Sequence, residues 1–167
     1  MREFRPLAAA LLAAAAIAAA FPATAQDNRL ARGKYLASIM DCGGCHTPGV
    51  FMGKPDMTRP LGGESVGFEI PGLGIFYPPN LTPDRETGLG KWTEADIIKA
   101  VRTGVRPDGR ELAPIMPWRA YAALTDNDAR ALAAYLKSLK PVANAAPAMV
   151  GAGQPAKAPY FSVIVPK

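Results

Sequence analysis

Residues 42–46 read Cys42-Gly43-Gly44-Cys45-His46, and they hold both cysteines and the single histidine of the 167-residue chain. Two thiols three residues apart, followed at once by an imidazole, form the Cys-x-x-Cys-His pattern of covalent haem attachment. The thiols add to the two vinyl groups of the porphyrin, and the adjacent imidazole then falls under the iron. With both cysteines and the histidine in one five-residue stretch, neither type has a second use. The expectation is one haem c (heme c), attached through Cys42 and Cys45, with His46 as an iron ligand.

A low-spin electron-transfer iron needs a second axial ligand, and no other histidine exists to supply it. Methionine is the remaining common choice, and His/Met ligation raises the reduction potential. Met116 is the strongest candidate, because Ala113-Pro114-Ile115-Met116-Pro117-Trp118 is a loop stiffened by two prolines. Met40 precedes the motif on the same segment, Met52 and Met57 follow it closely, and Met149 lies near the C-terminus. A methionine anywhere more often fills core space than binds metal. A ligating histidine donates its other ring N–H to a carbonyl or carboxylate, and the Pro79 carbonyl in Pro79-Asn80-Leu81 is a candidate acceptor. Tyr77, Trp118 and Tyr121 are candidates to pack on the porphyrin or to meet its propionates with their polar tips. Each is equally suited to an ordinary core. Arg102, Arg106, Arg110 and Arg119 belong to the surface, with one available to pair with a propionate.

The same residue types also serve other chemistry. An open iron position would make a haem enzyme or gas sensor, but no distal histidine remains to assist peroxide or oxygen chemistry. Exported thiol oxidoreductases use Cys-x-x-Cys at a βαβ edge, a pattern not found in this sequence. A structural zinc site takes four ligands, and only three of the preferred kinds are present.

Three helical segments must position the motif. Arg29 to Met40 carries Leu30, Gly33, Leu36, Ile39 and Met40 on one stripe, with Asn28 as N-cap. Glycine inside a helix costs about 1 kcal/mol against alanine, so Gly33 is expected where another element comes close. A second helix starts at Thr93, where Thr93-Glu94-Ala95-Asp96 makes a capping box and Trp92 with Ile97 a hydrophobic staple. Ile97, Ile98 and Val101 form its apolar face, and Gly104 ends it. In the third, Thr125 caps and Ala129, Leu132, Ala133, Leu136 and Leu139 repeat at helical spacing. Lys137 and Lys140 lie in its last turn and Pro141 stops it. Between them, Gly67 to Ile70 and Gly74 to Tyr77 flank Pro71-Gly72-Leu73 as a small hairpin, and Val105 to Tyr121 is a constrained loop opened by a Pro107-Asp108-Gly109 turn.

The termini are of another character. Arg2 and Arg5 precede a 15-residue apolar run from Leu7 to Phe21, and Ala23-Thr24-Ala25 gives a small-x-small cleavage site. A membrane-spanning helix needs about 20 residues, so residues 1–25 are expected to be a cleaved signal peptide and the protein to be periplasmic. Cleavage lowers the formal charge from +5 to +4, and two propionates would lower it further. Charges are well mixed, without the clustered Lys/Arg footprint of a nucleic-acid binder. Residues 142–167 are rich in Ala, Pro and Gly and are expected to form a flexible tail suited to docking on a partner.

From Arg32 to Leu139 the order of motifs resembles a class I cytochrome c. The resemblance is closer to the cytochrome c subunits of bacterial alcohol, gluconate and related periplasmic dehydrogenases. It is carried by Gly33-Lys34-Tyr35-Leu36 before the haem motif, then Tyr77-Pro78-Pro79-Asn80-Leu81-Thr82-Pro83-Asp84 and Gly88 to Trp92. Arg102 to Arg110, Met116-Pro117 and Leu124-Thr125 through Tyr135-Leu136 complete it. The resemblance implies thioethers at Cys42 and Cys45, iron ligation by His46 and Met116, and support of the histidine by Pro79. It also implies that the first and last helices cross with Gly33 near Tyr135. Two departures stand out: those subunits often carry three such domains and an anchor, and the stretch from His46 to Pro79 is longer than in small mitochondrial-type cytochromes. The fold class expected is all-α and cytochrome c-like, with three or more helices around one haem, long Gly/Pro-rich loops and a small hairpin. The domain spans residues 26–141. The function implied is single-electron transfer from a dehydrogenase to a downstream cytochrome or terminal oxidase, with catalysis left to the partner.

Overall fold

Every helix cap foreseen at Thr93 and Thr125 exists in the computed structural model, which describes residues 26–164 and residue 166. The expected signal segment 1–25 lies outside the described residues. Residues 26–39 are helical (α1), so the helix already runs at Asn28 instead of starting there. A five-residue helix α2, Cys42–His46, carries the whole motif. Then come a single 3-10 turn at Val50–Met52, α3 at Glu94–Thr103, α4 at Trp118–Tyr121 and α5 at Asp126–Ser138.

The crossing of α1 and α5 is the frame of the molecule, and Gly33 makes it. A Cβ at residue 33 would lie 2.1 Å from the Ala131 carbonyl oxygen and 2.6 Å from Tyr135 Cβ. No side chain fits there, which is why glycine stands in mid-helix despite its propensity cost. Leu36, Ala37, Ile97, Ala131, Leu132, Ala133 and Leu136 are buried around this contact, joined by Leu61 and Leu89 from loops. Burying each leucine or isoleucine contributes about 1.5–3 kcal/mol. Ile39 was expected on the buried stripe but is 60% exposed; it lies about 100° round the helix from Met40, which packs on the core, and so falls off the buried face. Arg29 pairs with Glu94 and Arg32 with Asp128 at the rim, where exposed ion pairs add little.

Lys137 does something other than complement its own helix dipole. Its Nζ reaches out of α5 and donates to the carbonyls of Leu89 (3.2 Å), Gly90 (3.2 Å) and Trp92 (2.8 Å). One ammonium thus satisfies three acceptors of the turn that leads into α3.

The expectation of an all-α fold is corrected by a four-stranded mixed sheet of order β3-β2-β1-β4. Its centre is the foreseen hairpin: β1 (Gly67–Ile70) and β2 (Gly74–Phe76) pair antiparallel with Phe68 opposite Phe76. Its outer strands come from the C-terminal segment. Val150–Gly151 (β3) pairs antiparallel with β2, and Tyr160–Phe161 (β4) pairs parallel with β1. Strands of two residues carry no readable alternation, and a bare hairpin leaves two edges that need covering. The segment read as a flexible tail is the cover. Phe161 brings its ring to Phe51 and Phe68, with centroids 5.6 and 5.7 Å apart, and closes an aromatic cluster beside the sheet.

Candidate haem site

Asp41 launches the motif. It adopts a left-handed conformation (φ 53°) and its carboxylate accepts the Gly44 N–H at 3.1 Å, capping α2. Gly44 is required for this: a Cβ there would sit 2.1 Å from the Asp41 carboxylate. Residues three apart on a helix share a face, so α2 presents Cys42 and Cys45 together. The two thiols are not joined to each other. Burial pushes the Cys42 thiol up to about 11, with the Asp41 charge adding to the shift, and raises Cys45 for the same reasons. Such thiols stay protonated at neutral pH, which is the reverse of what a thiol–disulfide catalyst requires.

His46 is 6% exposed, and its Nδ1 donates to the Pro79 carbonyl at 2.8 Å, as anticipated for that loop. Burial lowers its pKa, and the hydrogen bond to Pro79 only partly opposes this. The imidazole is therefore neutral, with its proton on Nδ1 and a lone pair on Nε2. That is the tautomer a metal-ligating histidine needs. The His46 carbonyl in turn accepts the Gly63 N–H at 2.8 Å.

Met116 is half-buried in the loop between α3 and α4. A turn closes on it, Met116 N–H to the Ala113 carbonyl at 2.9 Å, and α4 starts two residues later. The Tyr121 hydroxyl donates to the Met40 carbonyl at 2.8 Å, which ties α4 to the entrance of the haem motif. The proximity also appears in its acidity: burial, then the thiols of Cys42 and Cys45 and the Asp41 charge, raise the Tyr121 pKa. Tyr77 is drawn elsewhere, since its hydroxyl donates to the Ala158 carbonyl at 3.0 Å in the C-terminal segment. Trp118 packs its indole over Gly104, where a Cβ would meet Cε2 at 2.5 Å.

Among the described residues, Trp118 Nε1, Arg106 Nε and Glu64 Oε2 are buried side-chain atoms without a hydrogen-bond partner. Arg106 Nε lies 3.3 Å from Asp108 Oδ2 but is not aligned for a bond. Buried donors left unpaired cost free energy, and two of the three orphans are donors of the kind a carboxylate accepts. Protonated unpaired thiols, a neutral histidine with a free Nε2, a methionine loop and unpaired donors together fit covalent haem. Asp41 and Glu64 went unnoticed in the sequence. An aspartate directly before the motif was a readable cap signal; nothing marked Glu64, a buried carboxylate at 1% exposure, as unusual.

The comparisons with known proteins agree. Residues 30–140 match the family described as cytochrome c, and the chain belongs to that family, whose members carry electrons through covalently bound haem. It is 37% identical to the fructose dehydrogenase cytochrome subunit of Gluconobacter japonicus, over 85% of this chain and 30% of that protein. The alcohol dehydrogenase (quinone) cytochrome c subunit of Gluconobacter oxydans is 39% identical, over 86% of this chain and 28% of its own length. For the gluconate 2-dehydrogenase cytochrome c subunit of Pantoea cypripedii the figures are 41%, 72% and 26%. The chain spans less than a third of the length of these relatives. No helix among the described residues is long and apolar enough to cross a membrane.

Proposed function

We propose that this chain is an exported carrier of one haem c that takes single electrons from a periplasmic or membrane-bound dehydrogenase and passes them to a downstream cytochrome or terminal oxidase. The observation that carries the reading is the 2.8 Å bond from His46 Nδ1 to the Pro79 carbonyl, which leaves Nε2 as the only free lone pair of the ring.

The roles follow from the chemistry of each side chain. Cys42 and Cys45 would hold the haem through thioethers, each by addition of S–H across a vinyl group, and their raised pKa values keep them protonated at neutral pH. His46 Nε2 and Met116 sulfur would hold the iron, one nitrogen and one thioether, a pair that would favour the reduced metal relative to two nitrogens. Trp118 Nε1, a buried donor without a hydrogen-bond partner, would suit a propionate oxygen, as would Arg106 Nε, whose ion pair with Asp108 lacks hydrogen-bond geometry. The haem supplies one-electron cycling of iron between ferric and ferrous. The dehydrogenase relatives support a dehydrogenase as donor, and electron-transfer encounters of this kind use small interfaces. The apolar leader supports export with cleavage before Gln26.

The test is the visible spectrum, oxidised and reduced, of protein exported in cells that contain the haem-attachment machinery. A low-spin c-type spectrum with a methionine–ferric band is expected, and N-terminal sequencing should begin at Gln26. A high-spin spectrum that shifts on addition of carbon monoxide would overturn the ligation and make the protein an open-iron haem protein instead.

A further inference from the structure

The carbonyl that holds His46 belongs to a loop fixed by side chains from two distant parts of the chain. Asn80, next to Pro79, is 1% exposed. Its Oδ1 accepts the Thr82 N–H (2.9 Å) and the Thr82 hydroxyl (2.7 Å). Its Nδ2 donates to the Val142 carbonyl (2.7 Å) and to Thr87 Oγ1 (3.1 Å), with the Asn144 carbonyl at 3.4 Å. Thr82 Oγ1 accepts the Val142 N–H at 3.0 Å, and Thr87 Oγ1 accepts the Asn144 N–H at 3.1 Å while donating to Asp84 at 2.7 Å.

Asn144 then reaches the other side of the histidine. Its Nδ2 donates to the Gly62 carbonyl at 2.8 Å, and Gly62 adjoins Gly63, whose N–H holds the His46 carbonyl at 2.8 Å. Three residues after α5 therefore join both segments that grip His46, one through the neighbour of Pro79 and one through the neighbour of Gly63. The Asn80 amide has no spare bonding capacity, so its position, and with it the Pro79 carbonyl, follows the 142–144 segment.

We propose that Asn80, Thr87 and Asn144 are positioning residues through which the segment Val142–Asn144 sets the electron affinity of the iron. The proposal rests on His46 being the iron ligand, as given under Proposed function. A short Nδ1–H···O=C bond makes Nε2 more basic and so favours the ferric ion. When the loop relaxes, the bond lengthens, Nε2 loses basicity, and the equilibrium moves toward the ferrous ion.

The experiment compares the full-length, haem-loaded protein with Thr87→Val, Asn144→Ala and the double variant by redox titration with mediators. Ser162→Ala is the control, since it removes another contact of the C-terminal segment, the 2.6 Å bond to Glu69, without touching the His46 loop. At fixed ambient potential the double variant should raise the ferrous-to-ferric ratio about tenfold, which is about 59 mV for one electron. The single variants should shift it by less, in the same direction. Thr87→Ser, which keeps the hydroxyl, should restore the parent value, and Ser162→Ala should not move it. A low-spin double variant with the parent potential would overturn the proposal, as would an equal shift in Ser162→Ala. Should the double variant fail to load haem, the single variants and the Thr87→Ser rescue carry the same decision. Failure of the ligation reading is distinct, because it would appear as a missing low-spin spectrum in the unsubstituted protein.

Discussion

The two sides of the haem motif are built in opposite ways. On the histidine side the bonds span long stretches of chain: Gly63 to His46, Leu81 to Leu61, Glu64 to Pro78, Asn80 to Val142, Asn144 to Gly62. His46, Glu64, Asn80 and Thr82 there are all buried. On the methionine side the bonds are local. Leu112 donates to Gly104 at 2.7 Å, Arg106 to Arg110, Gly109 to Arg106 and Met116 to Ala113, and Ile115 beside the methionine is 51% exposed. Among the described residues, a single long-range hydrogen bond, from Tyr121 to Met40, joins that side to the motif. The histidine side therefore exists only once distant segments have assembled, whereas the methionine loop is a self-contained hairpin-like turn that opens at lower cost, the way weakly tied loops do.

The sharpest way to break this comparison is to remove the methionine. Met116→Ala should convert the spectrum from low-spin to high-spin and create a site for carbon monoxide, while haem stays covalently attached and the fold is retained. A low-spin spectrum in that variant would assign the ligand to another residue. Next come two glycines with positive φ, one on each side. Gly63→Ala forces a Cβ to 2.8 Å from the Asn80 backbone nitrogen at φ +91°, and strain against backbone at such a site costs about 3 kcal/mol. Gly109→Ala has φ +80° but nothing within 4 Å, so only the left-handed penalty of about 1 kcal/mol applies. Denaturant unfolding of the haem-loaded variants measures both, and equal losses would erase the contrast between the two sides.

The smallest expected effect is the pH dependence that Asp84 carries on the histidine side. Bonds from Thr87 hold the Asp84 carboxyl below its ordinary 3.8. A carboxyl with a depressed folded pKa contributes stability above its unfolded value and loses it as pH falls through the folded one. The contribution of Asp84 should therefore be complete above about pH 4 and fade below it. Asp84→Asn should flatten that part of an acid titration followed by unfolding midpoint; an unchanged slope would show that Asp84 does not participate.

Local chemistry was the legible part. The capping box at Thr93, the glycine stop at Gly104 and the β1–β2 hairpin depend on residues within a few positions of each other, and each appears where the pattern put it. Gly33 was legible for a related reason: a glycine in mid-helix is a local anomaly that asks for a close neighbour, although which neighbour came only from the resemblance. The Pro79 bond to His46 was readable through the same resemblance. Ile39 is the exception, because it lies about 100° round the helix from Met40 and so at the margin of the apolar stripe, not within it.

What the sequence alone determined about this protein is its chemistry: one attachment motif, one histidine, one proline-bound methionine and helices to carry them, because those features are written in neighbouring residues. What only the tertiary structure decided is how firmly that chemistry is held. The Ala/Pro/Gly-rich C-terminal segment lacks a period and looked unstructured, yet it covers both edges of a hairpin and locks the loop behind His46. Those bonds join residues more than 55 positions apart, and backbone groups that pair with whatever folding brings to them leave no mark in the local sequence.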